Sequence, residues 1–89
     1  MILFFMGKLQ KLFGRVKNNP QDIRFDDICK LAEAFGFVYK GGKGSHKVYT
    51  RKGIEEILNF QNVNGKVKPY QTKQFLKIIE EYNLKLKEE

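Results

Sequence analysis

The spacing of apolar residues along this chain is helical, then alternating, then helical again, and few folds accommodate that order. From Lys8 to Lys17 the apolar residues are Leu9, Leu12, Phe13 and Val16, the i, i+3, i+4, i+7 stripe of one helix face, with Lys8, Gln10, Lys11 and Arg15 outside it. Asn18-Asn19-Pro20 ends this helix, because proline disfavours the helical conformation in the residue before it. A second stripe of Ile28, Leu31, Ala32 and Phe35 predicts a helix from about Asp26 to Phe35. Asp26 and Asp27 lie in its first turn, where the helix dipole favours negative charge, and Gly36 closes it.

Beyond Gly36 the helical period is lost. Phe37-Val38-Tyr39 opens a strand that runs into Gly41-Gly42-Lys43-Gly44, Ser45 to Arg51 reads as a second strand, and Lys52-Gly53 is a turn signal. Ile54 to Gln61 reads as a third strand with Ile57, Leu58 and Phe60 as its apolar content, followed by a loop at Asn62-Val63-Asn64-Gly65. Pro69 is tolerated in a first turn and opens a last helix, with Phe75, Leu76, Ile79 and Tyr82 expected on its inner face and Asn83 at its end. The charged tail from Lys85 to Glu89 is expected to fray.

Three consecutive strands with short links form an antiparallel meander, and a sheet with one apolar face must bury it under helices. The predicted fold class is therefore α+β: a two-layer sandwich of a three-stranded antiparallel sheet with helices on one face, plus the N-terminal helix. Eighty-nine residues supply one small core. Residues 1–21 are read as an amphipathic helical extension and 22–89 as the main unit of one compact domain.

The net charge of +7 favours polyanionic partners, nucleic acid first, an anionic membrane or an acidic protein second. It is concentrated: between Phe37 and Lys73 stand Lys40, Lys43, Lys47, Arg51, Lys52, Lys66, Lys68 and Lys73, against only Glu55 and Glu56. Cys29, the single cysteine, excludes an internal disulfide and fits a reduced, cytoplasmic setting; lying off the main stripe, it reads as a packed small residue. The opening MILFFM lacks the flanks of a signal peptide and the length of a membrane span; it reads as a ragged start, with Met6 a possible natural initiator, and no membrane partner is expected.

His46 is the only histidine and follows three glycines in the stretch GGKGSHKVYT. A lone histidine, with a glutamate pair that would face apart in a strand, makes no metal cluster, and no metal or other cofactor is expected. Ser45 faces away from its neighbour in a strand and is a poor nucleophile for that base, and a glycine run leading into a strand is not a phosphate-binding P-loop. What remains is metal-free RNA cleavage, which needs a base for the 2′-hydroxyl, an acid for the leaving oxygen and positive charge near the phosphorane. An imidazole can supply the base or the acid, and Lys43 and Lys47 flank it. Tyr39 and Tyr49 among these lysines offer rings for base stacking, although strand aromatics more often join a core. Residue by residue, a non-catalytic RNA-binding module and a module that binds an acidic protein remain open beside the nuclease.

The stretches LAEAFGF, GKGSHKVYTR, LNFQ and KVKPYQTKQFLKIIEEYNL, in that order over about residues 22 to 84, resemble the HicA family of toxins. GSH alone is a weak motif; GSHxxY followed at this distance by KPxQ and a terminal helix is more specific. The resemblance implies a fold similar to a double-stranded-RNA-binding domain, α-β-β-β-α, ribosome-independent cleavage of mRNA without a metal, and inactivation by a cognate HicB-type antitoxin. It carries the catalytic role to His46 and makes Gly44 and Ser45 motif residues. Lys47-Val48 departs from many members, which place further basic or histidine residues there. On this reading His46 takes the 2′-hydroxyl proton while Lys43, Lys47 and Arg51 hold phosphate, and Gly44, Ser45, Tyr49, Lys66 and Lys68 complete the expected RNA-binding set. Gly41, Gly42 and Gly44 leave room for a sugar-phosphate chain to approach.

Overall fold

The computed structural model describes residues 7–86, so the opening apolar stretch and the last three residues of the tail lie outside the described residues. Helix α1 spans Lys8–Asn18 and α2 spans Phe25–Ala34, each within about a residue of the bounds their stripes predict. Leu12 and Val16 of α1 are buried in the core of their own domain, and the Phe13 ring meets Phe35 edge-on at 4.9 Å. Arg15 of α1 also reaches Asp27 of α2 at 3.3 Å, an ion pair too exposed on the arginine side to add much stability. The α2 C-terminus closes with Phe37 N–H on the Ala32 carbonyl and Gly36 N–H on the Glu33 carbonyl, the paired bonds of a Schellman stop.

Strands β1 (Val38–Gly41), β2 (His46–Thr50), β3 (Leu58–Val63) and β4 (Lys66–Val67) form one antiparallel sheet in the order β1-β2-β3-β4. The architecture is the expected α+β sandwich, with three main strands and a short fourth. The sequence reading has a loop at residues 62–65 and no strand at Lys66-Val67; the structure instead has a hairpin there. Asn64 and Gly65 both take positive φ, at 54° and 87°, and form the two-residue turn of a tight hairpin, so Asn62 and Val63 extend β3 and Lys66-Val67 pairs back on them. The segment before α2 runs along β4: Phe25 N–H bonds the Gly65 carbonyl, Val67 N–H bonds that of Ile23, and Arg24 bridges Lys66.

The third strand begins later than its apolar residues suggest. Residues 51–57 form a turn closed by Ile54 N–H on the Arg51 carbonyl and then an irregular stretch, and Ile57 is 57% exposed rather than part of the core. Along β1 the register slips between Tyr39 and Gly41, leaving Lys40 as the extra residue of a bulge.

Helix α3 (Pro69–Glu81) opens at proline as expected and ends with Asn83 in the left-handed region, at φ 53°. Its inner face is Gln71, Thr72, Phe75, Ile78 and Ile79; Leu76 is only half-buried, and Tyr82 is exposed, its hydroxyl donating to Glu56 at 2.7 Å. Gln71 is buried because its side-chain oxygen accepts the Gln61 N–H at 2.8 Å, tying the first turn of α3 to β3. Leu84, just before the charged tail, and Leu86 within it pack partly buried against the core; residues 87–89 lie outside the described residues.

Alternation sets the two faces of the sheet. Tyr49, Leu58, Phe60 and Val67 point into the core beneath the helices, while Val38, Val48 and Asn59 lie on the other, open face. Among the described residues no helix is long and apolar enough to cross a membrane.

Candidate active site

His46 begins β2 directly behind the glycine turn. Its N–H bonds the Lys43 carbonyl at 3.0 Å, and the Ser45 carbonyl accepts the Asn62 N–H at 2.8 Å, which carries the β2–β3 pairing one residue past the strand. His46 pairs with Gln61, Lys47 with Phe60 and Val48 with Asn59. Since Phe60 faces the core, Lys47 shares the helix side and His46 the open side. The imidazole is half-buried there, with Nδ1 3.1 Å from the side-chain oxygen of Asn59; Nε2 has no protein partner among the described residues.

Gly42 holds this turn together by having no side chain. A Cβ added to it would stand 2.3 Å from the His46 carbonyl oxygen and 3.2 Å from the Lys47 Cα, backbone atoms that no rotamer change relieves. A Cβ on Gly44 would meet open space and carry only the strain of φ +58°. Gly42→Ala is therefore expected to cost about 2 kcal/mol and lower the melting temperature by roughly 10 °C. Gly44→Ala should cost about half as much. Thermal denaturation of both checks this, and equal melting temperatures would show that the approach to His46 is not tight.

The expected RNA-binding residues fall into separate places. Lys43, Gly44 and Ser45 are exposed on the turn beside His46. Lys47 lies across the sheet from the imidazole, its ammonium 5.8 Å from the centroids of both Phe25 and Tyr39, a cation held over ring faces. With Phe25, Asp26, Gly44, Ser45 and Asn62 it lines a shallow pocket at the start of α2, where the Asp26 carboxylate opposes an anion. Arg51 donates from Nη1 to the Phe35 carbonyl at 2.8 Å, capping the C-terminus of α2. Lys66 is exposed on the β4 edge and paired with Asp22, and Lys68 is the N-cap residue of α3.

The base-stacking expectation for Tyr49 is corrected. The residue is 1% exposed, packed between Tyr39 at 5.7 Å and Phe60 at 6.0 Å, so neither face is open to a base. Its hydroxyl donates to Glu33 at 3.0 Å; burial first, then that carboxylate, push its pKa up and keep it a donor. Cys29 beneath it is buried, and burial raises its thiol pKa, as suits a packing residue rather than a nucleophile. Tyr39, half of whose surface is exposed, packs its ring against Tyr49 with the Lys47 ammonium beside it.

Asn59 did not stand out in the sequence, because only the β2–β3 register brings it to the histidine. Among the described residues no group of three or more His, Cys, Asp or Glu side chains is placed to hold a metal ion.

Comparison with curated proteins and with solved structures gave no match. A family model described as "HicA toxin of bacterial toxin-antitoxin" matches residues 25–80, from the start of α2 to the last turn of α3, with the glycine turn and His46 inside the matched stretch. That span is more than half of the chain, and the chain belongs to the HicA toxin family.

Proposed function

We propose that this toxin acts as an endoribonuclease on mRNA with His46 as its general base, and that a HicB-type antitoxin holds it inactive. The observation that carries the reading is the placement of the one imidazole: half-exposed on the open face of the sheet, at the mouth of a glycine turn, within the family match. Nε2 takes the proton of a ribose 2′-hydroxyl as the 2′-oxygen attacks phosphorus. The bond from phosphorus to the 5′-oxygen then breaks, and the leaving oxygen takes a proton from water. Exposed Lys43 on the turn supplies positive charge close to the phosphorane, and Lys66 and Lys68 add to the field that draws RNA in. Lys47 and Arg51 serve the scaffold first, one over two rings and the other on a helix end.

Incubating the purified protein with single-stranded RNA in EDTA tests this. Discrete products ending in a 2′,3′-cyclic phosphate are expected, since the proposed chemistry uses no metal. Intact RNA retained with a salt slope of about −0.7 per phosphate contact would favour a non-catalytic RNA-binding module instead. Neither cleavage nor retention would leave the basic surface to an acidic protein partner.

A further inference from the structure

We propose that Asn59 is the positioning residue of His46, holding the imidazole in the Nδ1–H tautomer so that the lone pair on Nε2 faces the RNA. The inference rests on His46 being the base. Because Val48 pairs with Asn59 and His46 with Gln61, Asn59 is the diagonal neighbour of His46 on the open face, close enough for the two side chains to meet. They do so with Nδ1 3.1 Å from Oδ1. With the amide oxygen as partner, which only accepts, a neutral imidazole carries its N–H on Nδ1 and its lone pair on Nε2.

The platform beneath this contact is rigid. Asn59 stands between Leu58 and Phe60, both fully buried, and its backbone is locked to β2. An unsupported imidazole would rotate and divide its proton between two nitrogens, so only part of the population would present a base in the right place. An amide orients the ring without adding a negative charge beside an incoming phosphate. A carboxylate at this position would orient it equally well but would repel the substrate.

The test is ¹⁵N-resolved NMR of the histidine ring at a pH where it is neutral, on the full chain, together with RNA cleavage by the same samples. Wild-type protein is expected to show a protonated Nδ1 and an unprotonated Nε2. In Asn59→Ala the Nε2–H form should become the major one and cleavage should fall about tenfold, in proportion to the competent fraction. Asn59→Asp keeps an acceptor and should keep the Nδ1–H form. A wild-type ring protonated on Nε2, or an Asn59→Ala ring indistinguishable from wild type, overturns the inference. An Nδ1–H ring in a protein that leaves RNA intact would overturn the nuclease reading, and the positioning role with it, while the hydrogen bond stands. The spectra therefore separate the two failures.

Discussion

His46→Ala should lower the rate of RNA cleavage by about 10²- to 10⁴-fold, the usual worth of a positioned general base. Expressed in a bacterial host, it should no longer arrest growth. The side chain lies on the open face and bonds only Asn59 among the described residues, so stability should change by no more than about 0.5 kcal/mol. Single-turnover cleavage of a labelled RNA, with circular dichroism to confirm an unchanged fold, measures both. Equal growth arrest by the two proteins, or equal cleavage rates, would remove His46 from the mechanism.

The second large effect belongs to the core. Phe75 is fully buried, and its ring meets Phe35 at 5.9 Å, Phe37 at 6.1 Å and Phe60 at 5.9 Å, each edge-on. This one side chain joins α3 to the end of α2, to the link into β1 and to β3. Phe75→Ala should cost about 3–5 kcal/mol, from lost burial and the cavity left behind. In a domain of this size that lowers the melting midpoint by roughly 15–30 °C. Tyr70→Ala, at a ring 62% exposed one turn earlier, should shift it by a degree or two and serves as the control. A Phe75→Ala loss below about 1 kcal/mol in urea titration would mean that the neighbouring rings collapse into the space.

The helices were legible because their stripes are long enough to fix both type and phase; the bounds of α1 and α2 fall within about a residue of expectation. The strands were less so, for a local reason. Ile54 and Ile57 look like strand residues, yet the Arg51–Ile54 turn keeps them out of the ladder, and Lys66-Val67 is too short to show a period. Alternation says that His46 and Lys47 face apart but not which of them faces the core. Their pairing with Gln61 and Phe60 decides that, and it crosses a seven-residue irregular link whose path the sequence does not specify. The same register hides Asn59 and buries Tyr49. A site built across strands is visible in sequence only through the member that carries a distinctive side chain, here the lone histidine.

Both margins of the sheet are blunted. On one side β1 offers four residues interrupted by the bulge at Lys40; on the other, the two residues of β4 are already engaged by Ile23 to Phe25. Neither edge presents a long, flat row of unpaired amides and carbonyls for a foreign strand to zip onto. The domain is thereby guarded against edge-to-edge polymerisation. A partner strand would gain few ladder hydrogen bonds at either edge among the described residues, which favours recognition through individual side chains and shape over extension of the sheet.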